Sequence, residues 1–168
     1  YLYVEHALES LEPLIRQAEM LAGRYDCVVA NPPYCSIEHQ NGLLKKFLKH
    51  SYCNYHRDLF AAFIKAGLTF GKPRSYLALM SPFTWMFISS YTDLRKRLLQ
   101  HETIASLIQL EYSGFDGATV PICTYVLRKS RIKGETGTYI RLADFRGPEM
   151  QAPKAREAIL NRKCGWVF

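Results

Sequence analysis

No stretch of this sequence stays apolar for long. None reaches the ~18–20 residues that a membrane-spanning helix requires, so no membrane partner is expected. The opening residues are not expected to be a secretory leader either. The opening residues, YLYVEHALESLEPLIRQAEM, carry acids and no basic n-region. The first residue is Tyr1 rather than Met, which suggests an excised segment of a longer chain. There is no disulfide framework. The five cysteines (Cys27, Cys35, Cys53, Cys123 and Cys164) are odd in number and irregularly spaced, as expected of a reduced cytoplasmic protein. Cys53 and His56, or Cys35 and His39, could begin a zinc site, but no second close pair follows either, so no metal is expected. The ten glycines are scattered and none forms a G-x-G. No internal repeat or low-complexity tract is visible.

What remains is globular in character. The chain has 168 residues, 48% hydrophobic and 22% charged, the size of one domain or a piece of one. Aromatics reach 13%, with 11 Tyr and 9 Phe, enough for a core and for surfaces that stack on flat ligands. Lys and Arg number 22 against 15 Asp and Glu, a net charge of +7. The excess is concentrated after residue 90. There 13 basic residues face 8 acidic ones, against 9 and 7 before it. Arg128, Lys129, Arg131 and Lys133 form a run with no acid among them. It reads either as a solvated strand end or as a contact for a polyanion.

Hydrophobic periodicity gives the elements. Leu8, Leu11, Ile15, Ala18 and Leu21 predict a helix over 5–22, started or bent at Pro13 and stopped at Gly23. YDCVVA, 25–30, is a short buried strand halted by Asn31-Pro32-Pro33, because proline cannot donate to a sheet ladder. Helices are predicted over 42–50 and 58–70, the second capped by Asp58. A strand at 75–83 follows Gly71-Lys72-Pro73. Ser90-Tyr91-Thr92-Asp93 resembles a capping box opening a basic helix over 91–101. Strands are expected near 103–111, 119–129 and 137–145, and the remainder is weakly specified. Alternating helices and strands argue for a mostly parallel sheet flanked by helices. The loop YSGFDGAT is too short for a parallel crossover, so the fourth strand should run antiparallel to the third.

The informative stretch is YDCVVANPPY, residues 25–34. In open α/β sheets ligands bind beyond the carboxyl ends of strands, where Asn31 and Tyr34 emerge. Two prolines stiffen the backbone between them. The Asn31 side-chain carbonyl and the Pro32 backbone carbonyl can each accept one hydrogen of a planar NH2 group, while Tyr34 stacks on its ring. A bare Asn-Pro turn with a tyrosine over the core edge is the ordinary alternative. The full strand-plus-N-P-P-Y pattern favours the site.

YDCVVANPPY resembles the catalytic motif of the amino-methylating, S-adenosylmethionine-dependent DNA methyltransferases. LLKKFLKHSY, DLFAAFI, SYLALMSPFTWMFISSYTDLRKRLL, TYVLRKS and GTYIRLADF are similar to the adenine-specific branch. Within it they look most like the PglX-type methyltransferases of BREX phage-exclusion systems and the Eco57I-like modification enzymes. The likeness spans residues 18–145. It implies an α/β fold, the C-terminal half of a class I (Rossmann-like) methyltransferase sheet, mostly parallel with an antiparallel last strand pair. It implies a partial catalytic domain over 1–145, and a tail at 146–168 leading toward a target-recognition region. The implied reaction moves a methyl group from S-adenosylmethionine to N6 of an adenine flipped out of double-stranded DNA. The setting would be restriction-modification or phage defence, with other subunits of such systems as partners.

By the same resemblance Asn31, Pro32, Pro33 and Tyr34 are catalytic. Tyr34 and Phe115 hold the flipped base, with Tyr112 second to Phe115. Asn31, Asp58 and Phe60 lie against the cofactor, and Arg128, Lys129, Arg131 and Lys133 meet DNA. Asp58 reads equally as a plain helix cap, and Phe115 as a loop aromatic folded onto the core. Phe83 and Trp85 are better read as core than as lining of the site. The family's glycine-rich cofactor loop has no counterpart here, so the 168 residues alone are expected to bind S-adenosylmethionine weakly or not at all, and to be inactive. The motif strand would then be an exposed edge. Other acceptors remain open: a glutamine side chain of a protein, since release-factor methyltransferases also use N-P-P-Y, or an amine of RNA. A non-catalytic DNA-binding or assembly module is the alternative of a different class.

Overall fold

The computed structural model describes residues 2–112 and 120–168. Phe115 lies outside them. Helix α1 (Leu2–Ala22) leads into strand β1 (Tyr25–Ala30). Helices α2 (Gly42–Ser51) and α3 (Leu59–Phe70) come next, then β2 (Gly71–Pro82). Two short 3-10 turns precede α4 (Thr92–His101). The chain continues through β3 (Thr103–Gln109), β4 (Ile122–Arg128), β5 (Thr138–Arg141) and α5 (Pro148–Leu160).

The five strands form one sheet in the order β1-β2-β4-β3-β5. β1 pairs parallel with β2, and β5 parallel with β3. β4 is inserted antiparallel to both β2 and β3. Four strands therefore point one way and one returns between them, as a short β3–β4 connection requires.

Period-two alternation divides the sheet into two faces. Leu77, Leu79 and Ser81 on β2 and Cys123, Tyr125 and Leu127 on β4 point into the core beneath α3 and α4. There they meet Phe60, Ile64, Leu94, Leu98 and Trp85, whose indole packs 5.2 Å from the Tyr125 ring. Each fully buried Leu or Phe of this set contributes about 1.5–3 kcal/mol. Trp85 is thus a core residue, as expected. Ala78 and Met80, with Thr124 and Val126, face the other way and are only partly covered.

Several boundaries differ from the sequence reading. α1 runs unbroken through Pro13, and its apolar stripe (Leu8, Leu11, Ile15, Leu21) is solvent-exposed. β2 begins at Gly71, not residue 75. Gly71 pairs with Tyr25, and the ladder then skips to Cys27 opposite Tyr76. Pro73 sits in that irregular segment, where its missing N–H costs no ladder bond. No capping box opens α4. Tyr91 takes the N-cap position without a side-chain cap bond, because its ring is buried against Phe60. Arg95 instead ties the preceding turn, donating to the Trp85 and Ile88 carbonyls at 2.8 Å each.

Residues 148–160, which carry no clear pattern in sequence, form α5. Pro148 sits in its first turn, where a proline N–H is not needed. Residues 146–168 pack back on the sheet. Trp166 and Phe168 bond the backbone of β5, and Ala158 joins Ile140 and Leu142 in a second small core.

β1 is an edge strand, paired only with β2 among the described residues, and Val29 is 74% exposed. Among these residues no helix is long and apolar enough to cross a membrane. Among the described residues no group of three or more His, Cys, Asp or Glu is placed to hold a metal ion.

Candidate active site

β1 ends at Ala30, and the N-P-P-Y segment leaves its carboxyl end. Pro32 is buried and anchors the turn, while Asn31 and Pro33 face solvent. Tyr34 is 36% exposed. Its hydroxyl donates to Asn31 Oδ1 at 3.4 Å, a long bond at the limit of the geometry. Its ring meets Phe60 edge-to-face, centroids 6.4 Å apart and planes at 89°. Burial raises the Tyr34 pKa, with a smaller contribution from the Cys123 thiol, so the phenol stays protonated at neutral pH.

Asp58 fixes this segment from behind. One carboxylate oxygen, Oδ1, accepts from Cys35 N at 2.9 Å and from Phe60 N at 3.2 Å. The first bond holds the residue after Tyr34, and the second caps α3. Leu59 N donates to the Cys35 carbonyl at 3.1 Å, and Ile37 N to the Arg57 carbonyl at 2.9 Å. The N-P-P-Y exit is thereby laced to the start of α3. Asp58 is 8% exposed and Phe60 1%, so both reach a ligand chiefly by placing Tyr34. Burial raises the Asp58 pKa. The N–H groups of Cys35, Phe60 and Leu59 oppose that shift without cancelling it.

Two supporting residues were not anticipated. Gln40, 6% exposed, donates from Nε2 to the Cys35 carbonyl at 3.1 Å, a second tether on the same peptide. Tyr91 backs Phe60 at 5.7 Å. Burial and the nearby Asp58 charge push its pKa up to about 12. Neither had a legible signal. Gln40 acts on a backbone carbonyl, and Tyr91 is one of eleven tyrosines until the fold brings it to Phe60.

Beside Asn31, on the sheet face away from α3 and α4, lies an open and mainly apolar cleft of about 520 Å³. Val29, Asn31, Met80, Ile108 and Thr124 are among its walls. An exposed amide and an aromatic edge thus stand at a strand's carboxyl end beside open space.

The basic run is elsewhere. Arg128 and Lys129 lie where β4 ends and β3 begins, at the opposite end of the sheet from Asn31. The register sets Arg128 opposite Tyr76 and so level with Cys27, four residues and roughly 13 Å along the strands before Asn31. Arg128 pairs with Glu135 at 3.5 Å and lies over the Tyr76 ring. The Lys129 ammonium donates to the Gly71 carbonyl at 2.8 Å. Arg131 and Lys133 are exposed. The structure therefore gathers Asn31, Pro32, Pro33, Tyr34, Asp58 and Phe60, and leaves the four basic residues apart from them.

Comparison with known proteins decides the family. Residues 5–115 match the model of the Eco57I restriction-modification methylase. The chain belongs to this family. Over 143 residues it is 35% identical to the adenine-specific methyltransferase BrxX of Escherichia coli O9:H4 (strain HS), covering 83% of this chain and 12% of BrxX. Over 167 residues it is 30% identical to the adenine-specific methyltransferase PglX of Lacticaseibacillus casei (strain Zhang), covering 98% of this chain and 14% of PglX. The chain thus spans roughly an eighth of the length of these relatives. Among solved structures, it superposes on the nuclease-deleted Type ISP restriction-modification enzyme LlaGI with a TM-score of 0.66 at 18% identity, covering 89% of this chain and 17% of that one. It also superposes on the type I restriction-modification methyltransferase subunit from Streptococcus thermophilus, with a TM-score of 0.60 at 19% identity and coverages of 83% and 32%. The fold of this Eco57I-family chain is the N-P-P-Y half of a Rossmann-like methyltransferase sheet.

Proposed function

We propose that this chain carries the methyl-transfer centre of a DNA adenine-N6 methyltransferase acting in restriction-modification or phage defence. The observation that carries the reading is the laced N-P-P-Y turn. An exposed Asn31 amide and the Tyr34 ring are held at fixed spacing on the carboxyl end of β1, with Asp58 and Gln40 gripping the peptide behind them. The residues present fit one side of an S-adenosylmethionine site, because they offer a polar amide and an aromatic edge beside an open cleft.

Bound S-adenosylmethionine supplies a methyl group already activated on a sulfonium. The chain's own residues act on the acceptor. Adenine N6 is a poor nucleophile because its lone pair is delocalised into the ring. Asn31 Oδ1 and the Pro32 carbonyl each accept one N6 hydrogen, which favours a more pyramidal nitrogen with its lone pair available. To do so Asn31 Oδ1 gives up or shares the long bond from the Tyr34 hydroxyl. The Tyr34 ring stacks on the flipped base. Catalysis is positioning and electrostatics. Asp58 and Phe60 act as supports of this turn, and Phe115 is proposed as the second stacking ring.

Double-stranded DNA is the proposed partner, with other restriction or phage-defence subunits. Arg131 and Lys133, exposed at the end of the run, are proposed to touch phosphates remote from the flipped base, while Arg128 is held beside them by Glu135 and Lys129 by the Gly71 carbonyl. Residues 1–145 would form part of the catalytic domain, and 146–168 would lead toward target recognition. Methyl transfer by the full-length protein into adenine-containing duplex DNA is expected to collapse in Asn31→Ala. Survival of the activity in that variant, or methylation of a release factor in place of DNA, would overturn the reading.

A further inference from the structure

A second concavity lies at the opposite end of the sheet from Asn31, where β1 and β3 start and β4 ends. It encloses about 380 Å³. Arg24, Lys65, Arg97, His101, Glu102 and Lys129 contribute its charged lining. They come from five separate stretches: the lead into β1, α3, α4, the lead into β3 and the end of β4.

Four of these side chains are permanent cations and one is a carboxyl. Among the described residues none of the four makes a salt bridge, whether to Glu102 or to any other acid. Four cations against one acid leave the cleft with an excess of positive charge, which concentrates field on whatever anion enters it. Two guanidinium groups and two ammonium groups match a polyvalent oxyanion better than a single carboxylate.

Glu102 sharpens the choice. Its Oε2 atom is buried and has no hydrogen-bond partner. Burial raises its pKa, while His101, Lys129 and Lys65 pull the other way. An acid among cations repels an anion unless a proton lies between them. Hydrogen phosphate carries such a proton at neutral pH, and a phosphate monoester, whose second pKa is about 6, carries it in its monoanion. Sulfate and the diester phosphates of a DNA backbone do not.

We propose that this concavity is a binding site for inorganic phosphate or a phosphate monoester, with Arg24, Lys65, Arg97 and Lys129 compensating its charge and Glu102 sharing one proton with it. The site is separate from the methyl-transfer centre and does not depend on that reading. Its place beneath α3 and α4 puts it within one packed body of the N-P-P-Y turn, which α3 also holds.

The test is calorimetric titration of the protein with inorganic phosphate at low ionic strength, with sulfate as the comparison anion. Phosphate should bind saturably and at least tenfold more tightly than sulfate. Lys65→Glu combined with Arg97→Glu, both at exposed positions, should weaken phosphate at least tenfold, and Arg97→Gln alone should weaken it severalfold. Thermal melts of the variants without ligand check folding, and Arg97→Gln serves if the double variant is unstable. Glu102→Gln should narrow the preference, because an amide donates to either anion. Equal binding of phosphate and sulfate would overturn the proposal, as would binding unaffected by the Arg97 changes. Displacement of phosphate by a short DNA duplex would also overturn it, and would make the cluster a backbone contact.

Discussion

Replacing Asp58 separates the charge of that residue from its hydrogen bonding. The side chain is almost fully buried and accepts two backbone bonds through Oδ1. Its pKa is raised in the fold, chiefly by burial. The folded state therefore holds the proton more tightly than the unfolded chain does. The stabilisation from protonation is complete below the unfolded pKa and is lost as pH rises through the folded one. At neutral pH the ionised carboxylate is a net cost, although its hydrogen bonds are a gain.

Asp58→Asn removes the charge and keeps an acceptor facing Cys35 N and Phe60 N. It is expected to leave stability unchanged or slightly higher at pH 7. Asp58→Ala removes both bonds. Loss of the helix cap costs about 0.5–2 kcal/mol, and a half-buried Cys35 N–H left without a partner costs about 1–3 kcal/mol. A combined loss of about 1.5–5 kcal/mol lowers Tm by roughly 3–20 °C for a chain of this size. Thermal unfolding followed by circular dichroism at pH 5 and pH 8 measures both effects. The advantage of Asp58→Asn over the wild type should grow toward pH 8. In the full-length enzyme, methyl transfer should persist in Asp58→Asn and fall in Asp58→Ala, whose N-P-P-Y turn is untethered. If Asp58→Asn is as damaging as Asp58→Ala, the charge itself holds the turn and the reasoning is wrong.

Other substitutions probe different links. Tyr34→Phe removes only a 3.4 Å bond and keeps the ring, so methyl transfer should change by no more than a few fold. Tyr34→Ala forfeits base stacking worth about 1–3 kcal/mol and should raise KM for DNA far more than the Phe variant does; equal kinetics for the two would remove Tyr34 from the base pocket. Gly137 sits against β3, where an added Cβ would collide with the Ile104 carbonyl oxygen. Gly137→Ala should therefore unpair β5 and expose the amides of Thr138–Arg141 to hydrogen exchange, and unchanged protection would contradict the close approach. Val29→Lys places a charge on the exposed edge of β1 and should reduce concentration-dependent association of the 168-residue chain, measured by light scattering, without lowering its Tm.

The centre was legible because its parts are contiguous. A β-branched run ending in Asn-Pro-Pro-Tyr declares a strand, its stop and its presented groups within ten residues. Asp58 before an apolar helix declares a cap. Other parts were illegible for equally local reasons. α5 carries Pro148 and Pro153 and buries little beyond Gln151 and Ala158, so no periodic stripe marks it. The apparent capping box before α4 failed because Tyr91 is worth more packed on Phe60 than a local cap is worth at Ser90.

By itself, the sequence determined the succession of helices and strands in outline, the antiparallel return of β4 and the chemistry offered at residues 31–34. These follow from short-range sterics, loop length and side-chain type. Only the tertiary structure decided that one oxygen of Asp58 holds both the N-P-P-Y turn and the helix behind it, that Gln40 grips the Cys35 carbonyl, and that the basic residues after 127 stand at the other end of the sheet from Asn31. Those facts depend on which distant backbone atoms meet when the sheet closes over its core. A hydrogen bond to a main-chain N–H or C=O leaves no mark on the identity of the residue that supplies it.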